Sequence, residues 1–227
     1  GVMCCGGGGG GGGVGVPKSY DEIYAQAIDA VGVGLSAGYR RMEVEFPPIP
    51  NMNKLGDGSA SSQRLVRQAN VGFVLKAAEA LSGAGWGVWI LCGDGSTREE
   101  VEKMNLPPNT QVQLLKDGPP PSGPSDILLV HPPADLNQWE FSASLSAQSP
   151  VVALNGQQHN GHASFEMAYY LKPLTFNSRT CGYLIRSFPD PWIVYDGTGG
   201  NMGVEVGFVQ TASGYRPDLQ AVSRLFN

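Results

Sequence analysis

Two stretches repeat the sequence GDGS: Gly56-Asp57-Gly58-Ser59 and Gly93-Asp94-Gly95-Ser96. Each stands between a strand-like run and a helix-like run. Glycine lets backbone approach a ligand closely and adopt positive φ. Amides at a helix N-terminus attract phosphate. The phosphate signatures are nevertheless incomplete. No lysine follows either loop in the GxxxxGK[ST] register, and G-x-G-x-x-G fails because Gly93-Asp94-Gly95 is followed by Ser96, Thr97 and Arg98. Asp57 and Asp94 would also repel a phosphate. Asp or Ser ahead of a helix is an ordinary cap, so the spacing predicts two helix starts, with a ligand crevice as the rival.

The histidines offer less. His159-Asn160-Gly161-His162 is the one paired motif. Zinc needs a third ligand and preferably a fourth, which Asp57 or Asp94 supplies only if the fold brings it close. A surface loop explains the motif equally well. His131, ahead of Pro132-Pro133, reads as a hydrogen-bonding or capping residue at a strand end rather than a catalytic base. No Gly-x-Ser-x-Gly elbow supports a hydrolase triad. Cys4, Cys5, Cys92 and Cys181 form no Cys-x-x-Cys pair and read as reduced thiols. Trp86, Trp89, Trp139 and Trp192 read as core or interface anchors. No catalytic residue, metal or cofactor is assigned.

The elements that must position these residues follow from periodicity. Ser19 and Glu22 form a capping box ahead of a helix over about 20–37, with Ile23, Ala27, Ala30, Val31 and Leu35 at helical spacing. RMEVEF (41–46) alternates as a strand does and is stopped by Pro47, Pro48 and Pro50. A long helix over 61–81 carries Leu65, Ala69, Phe73, Ala77 and Ala80. A strand over 86–92 leads into the second GDGS, where Ser96 and Glu99 form a second capping box for a short helix. Strands follow at 111–115, 126–130 and 151–154, with a helix over 135–147 between the last two. The apolar runs at 88–91, 127–130 and 151–154 lack polar alternation, the mark of parallel strands buried on both faces. Segments at 166–176, 182–188, 192–195 and 204–210 follow with short turns, which reads as an antiparallel meander. A last helix is expected over 216–226. The fold class is α/β: a three-layer, mainly parallel sheet flanked by helices, with a C-terminal antiparallel meander.

In such a sheet ligands bind outside the carboxyl ends of the strands. Asp57, Asp94, Ser96, His131, Asn155, His159 and His162 all fall on loops expected there. They form the candidate crevice.

Composition removes several function classes. Of 227 residues 41% are hydrophobic and 15% charged, with formal net charge −5. Arg40-Arg41 is the densest basic cluster, so binding of nucleic acid by phosphate neutralisation is not expected. No apolar run reaches the roughly 20 residues of a membrane span. Residues 1–16, GVMCCGGGGGGGGVGV, read as a Gly-rich disordered tail and as the remnant of a targeting segment. Residues 17–227 read as a single α/β domain.

The chain resembles a domain-of-unknown-function family of plastids and cyanobacteria, typified by the Low PSII Accumulation 3 protein. EVEFPPIPN, YYLKPL and the FPDPW turn carry the resemblance most specifically, with DILLVHPP and VVALN between them. After Asn155 the chain has Gly156-Gln157-Gln158, where family members often place a proline and a basic residue. The resemblance implies a chloroplast protein, in the stroma or on the stromal face of the thylakoid. It implies a non-catalytic part in photosystem II assembly, or a peripheral photosystem subunit, through contacts with photosystem or thylakoid assembly proteins. The same domain occurs fused to a plastid adenylate kinase, so a nucleotide- or phosphometabolite-binding enzyme using the crevice is the alternative. The family's catalytic residues are not established, and none is carried over. For partner contact the candidates are two proline-rich turns: Pro48, Ile49 and Pro50, and Pro189, Pro191 and Trp192. Rigid loops lose little entropy on docking. A purely core role for Trp192 is the competing expectation.

Overall fold

A computed structural model describes residues 14–47, 59–156, 164–176, 179–197 and 203–205, together with 217, 219 and 222. The first helix, α1 (Tyr20–Ser36), is capped by Ser19, whose Oγ accepts the Glu22 N–H at 3.2 Å. The Glu22 carboxylate reaches back to the N–H of Lys18, one residue beyond the cap. Gly38, at φ 87°, closes the helix, with Tyr39 N–H bonded to the Gly34 carbonyl and Gly38 N–H to that of Leu35. A positive φ at this position suits glycine, which has no Cβ to clash.

Strand β1 (Arg41–Glu45) then leads, through residues outside those described, to α2 (Ala60–Gly83). Gly85, at φ 94°, closes α2 in the same way as Gly38 closes α1. Strand β2 (Gly87–Cys92), helix α3 (Gly95–Glu102) and strand β3 (Thr110–Leu114) come next, then β4 (Asp126–His131), α4 (Leu136–Leu145) and β5 (Val151–Leu154). The chain continues with β6 (Glu166–Phe176), β7 (Arg179–Ser187), β8 (Ile193–Asp196) and β9 (Gly203–Glu205).

Among the described residues these strands form one sheet in the order β3-β2-β4-β5-β1-β6-β7-β8-β9. The strands β2, β4 and β5 are parallel neighbours, with Ile90 beside Leu129 and Leu129 beside Val152. The unbroken apolar runs predicted this. The expected meander runs from β6 to β9, each strand antiparallel to the next, and on its other side β6 pairs parallel with β1. β6 is therefore the strand where the sheet changes sense. β1 lies between β5 and β6, so both its edges are paired, and even Glu43 is buried.

Helices α1, α2 and α3 cover one face, where Ile23, Phe73, Ala77 and Val101 join a core with Val44, Ile90, Leu129 and Val152. On the opposite face α4 contributes Trp139 and Leu145 to a core with Leu128, Val130 and Ala153. Burying such a side chain stabilises the fold by roughly 1.5–3 kcal/mol. The apolar stripe of α2 is rotated from its expected phase. Its buried residues are Asn70, Val71, Phe73, Val74, Ala77, Ala78 and Leu81, while Leu65 and Ala80 are exposed. The helix expected at 216–226 lies largely outside the described residues, though Val222 is buried and Leu219 packs beside it, against Trp192 and Leu184. Among the described residues no helix is long and apolar enough to cross a membrane.

Candidate functional site: the strand-end cleft

β2 feeds α3 on one face of the sheet, and its neighbour β4 feeds α4 on the other. Loops that part in this way open a crevice at the carboxyl ends of the strands. A cleft of about 590 Å³ lies there. Glu45 and Phe46 line it from the end of β1, and Gln63, Val66, Arg67 and Asn70 from α2. Asp94 and Thr97 line it from the start of α3, and His131, Pro132, Asn155 and Gly156 from the ends of β4 and β5.

Asp94 is the N-cap of α3. One carboxylate oxygen accepts the Thr97 N–H at 2.8 Å and the other accepts the Thr97 hydroxyl at 2.9 Å. Partial burial pushes the carboxyl up, but these bonds and the Arg67 guanidinium outweigh it and hold Asp94 below its ordinary range. The cap expected at Ser96 is thus corrected: Ser96 sits exposed inside the first turn, outside the lining of the cleft. An Asp one residue from a Ser offers two caps, and the backbone path out of β2 chooses between them. At Gly93 the N–H donates to the His131 carbonyl at 2.9 Å, and a Cβ would run into the Pro132 carbonyl oxygen. This glycine serves close packing of two loops.

His131 is the last residue of β4 and is 1% exposed. Burial pushes its imidazole down to about 4, against the opposite pull of the Leu154 carbonyl and of Asp94. At neutral pH the ring is uncharged. Nδ1 is buried and has no hydrogen-bond partner among the described residues. So weak a base is a hydrogen-bonding group, not one tuned to take protons at pH 7.

Asn155 holds the floor together. Its φ of 43° is left-handed, a region Asn tolerates better than most residues. Its N–H donates to Val44, its Oδ1 accepts the Phe46 N–H at 2.9 Å, and its Nδ2 donates to Asn70 Oδ1 at 2.7 Å. Asn70 was not singled out from the sequence. Its signal was a polar residue in step with Phe73, Val74 and Ala77 on one helix face.

Of the expected crevice residues, Asp94, His131 and Asn155 converge, joined by Arg67 and Asn70. Asp57, His159 and His162 lie outside the described residues, as do Pro48, Ile49 and Pro50. Among the described residues no group of three or more His, Cys, Asp or Glu side chains could hold a metal ion. Burial pushes the Cys92 thiol up to about 12, consistent with a structural cysteine. The cleft offers an acceptor in the Asp94 carboxylate and a donor in the Arg67 guanidinium, suited to holding a small polar molecule.

Residues 17–223 match the model of a domain of unknown function, DUF1995. The chain belongs to the DUF1995 family. Neither the curated proteins nor the solved structures gave a match.

The second proline-rich turn of this DUF1995 domain joins β7 to β8. Pro189 and Pro191 are exposed. Trp192 is not a surface anchor: it is fully buried, 5.0 Å from the Tyr170 ring, with the Arg186 guanidinium 5.6 Å above it. Arg186 is paired in turn with Glu166. At the other end of the turn the Phe188 N–H donates to the Ala168 carbonyl, and its ring meets Tyr39 edge-on at 5.0 Å. Two prolines are held in solvent between two fixed aromatic residues.

Proposed function

We propose that this DUF1995 chain is a chloroplast protein that works in photosystem II assembly, or as a peripheral photosystem-associated subunit of the thylakoid, through protein–protein contacts. The sequence resemblance to the Low PSII Accumulation 3 type supports this reading, and membership of the broader family is consistent with it. The structural observation that carries it is the 188–192 turn. Trp192 and Phe188 fix its ends while Pro189 and Pro191 face solvent. A turn already rigid loses little conformational entropy when a partner covers it. The test is affinity purification of the tagged chain from thylakoids, with identification of the attached chains by mass spectrometry. Photosystem or assembly proteins are expected. Recovery of the chain in the soluble stroma with none of them attached would overturn the reading.

A nucleotide- or phosphometabolite-binding enzyme is the second reading, and the size and position of the strand-end cleft favour it. Calorimetric titration with ATP, ADP and GTP tests it. Asp94 already occupies the Thr97 amide that a phosphate would use, so no saturable binding is expected. Saturable binding lost on Gly95→Trp would establish the second reading.

A further inference from the structure

At the opposite end of the strands from the cleft, α1 runs into β1 through Tyr39 and Arg40. Both Arg40 and Arg41 are exposed, and both reach the same residue. Arg40 Nε donates to the Ser146 carbonyl at 2.7 Å, and Arg41 Nε donates to the Ser146 hydroxyl at 3.0 Å. Ser146 is buried and caps the C-terminus of α4, where the helix dipole favours a cation. Each guanidinium is thus held by one nitrogen, while its terminal nitrogens make no hydrogen bond or ion pair among the described residues. The nearby carboxylate of Glu166 is already paired with Arg186. An open groove of about 430 Å³ lies beside the pair, lined also by Tyr39, Phe165 and Glu166. It adjoins the proline turn, because the Tyr39 ring meets Phe188 edge-on.

We propose that Arg40 and Arg41 form a docking fork for an acidic protein segment, whose carboxylates seat in this groove while the neighbouring turn covers the flank. The inference rests on the protein-contact reading above and names the chemistry of the partner at that surface. Arginine matches carboxylate geometry with two parallel donors, and such charge-assisted bonds are about twice as strong as neutral ones. Holding Nε in place orients the remaining donors before the partner arrives, which lowers the entropic cost of docking. In a chain of net charge −5 this is a local exception. Two arginines fall short of the clusters of roughly four to eight basic residues that mark binding to anionic lipid, so a protein segment is the better fit than a membrane.

The probe is a fluorescein-labelled decapeptide of alternating Asp and Glu, followed by anisotropy against the intact chain, with the Asn/Gln decapeptide as control. The acidic peptide is expected to bind, more weakly as salt is raised, and the control not to bind. The double variant Arg40→Gln/Arg41→Gln should weaken binding about tenfold or more, the equivalent of one lost charged hydrogen bond. Because both arginines also cap α4, its fold is checked by circular dichroism. Ser146→Ala keeps both charges, frees only Arg41, and should give a smaller loss. Equal affinity for the two peptides, or a folded double variant that binds as the parent does, overturns the fork. So does binding to phosphatidylglycerol vesicles, abolished by the same substitutions, in the absence of peptide binding. A folded double variant that keeps its thylakoid partners removes the fork and leaves the photosystem reading. Peptide binding without any thylakoid partner does the reverse.

Discussion

Asn155 Nδ2 donates to Asn70 Oδ1 at 2.7 Å, across 85 residues of sequence. This bond joins the end of β5 to the middle of α2, and Asn155 Oδ1 extends it to the Phe46 N–H at the end of β1. Replacing Asn155 by alanine leaves Asn70 and Phe46 each without that partner and puts alanine at a left-handed φ. Burying an unsatisfied polar group costs about 1–3 kcal/mol. Urea denaturation should show a loss of that order. Asn155→Gly, which tolerates the backbone angle, should lose less.

His131 gives a pH dependence of definite sign. Its imidazole titrates near 6.5 in the unfolded chain and at about 4 in the fold, chiefly through burial. Between those values the unfolded state binds more protons, so stability rises with pH. The stability is fully present above about pH 6.5 and is lost as the pH falls towards about 4, in total up to roughly 3 kcal/mol. Urea midpoints measured at about pH 7 and about pH 5 should therefore differ more for the parent than for His131→Gln. Equal differences in the two proteins would reject this account.

The two glycines of the second GDGS should respond oppositely to alanine. At Gly93 a Cβ meets the backbone oxygen of Pro132, and Gly93→Ala should cost about 1–3 kcal/mol through overpacking. Gly95 has open space around it and a helical position. Gly95→Ala should be neutral or stabilise by up to about 1 kcal/mol. Thermal melts of the two variants decide the matter.

Trp192 and Pro191 separate folding from docking. Trp192→Ala empties a fully buried site and should cost about 3–5 kcal/mol, so any loss of partners in that variant reports on folding. Pro191 is exposed. Pro191→Glu should keep the parent's circular dichroism and melting temperature within a few degrees while lowering recovery of thylakoid partners. Unchanged recovery would take the turn out of the interface.

What could be read along the chain was local. The apolar runs that become β2, β4 and β5 announced strands buried on both faces, because a parallel sheet covered on two sides needs no polar alternation. Ser19 with Glu22 marked the start of α1, because a cap involves residues within one helical turn. Those runs were enough to place Asp94, His131 and Asn155 at one end of the sheet. The choice of Asp94 over Ser96 as cap, and the phase of the stripe on α2, were already ambiguous locally. Alanine and other small residues recur on several faces of that helix, and only packing against the sheet selects the buried one.

The sequence by itself thus determined the elements, their class and the end of the sheet where polar loops gather. Tertiary structure alone decided that β1 lies between β5 and β6, that β6 runs parallel to it, and that Trp192 is core. It alone brought Asn70 to Asn155 and closed solvent off from His131. Pairing between distant strands is set by the sum of many burials across the sheet, and no single segment encodes that sum. The two arginines illustrate the division. Their adjacency is written in the sequence, while their common hold on Ser146 exists only once α4 ends beside the start of β1.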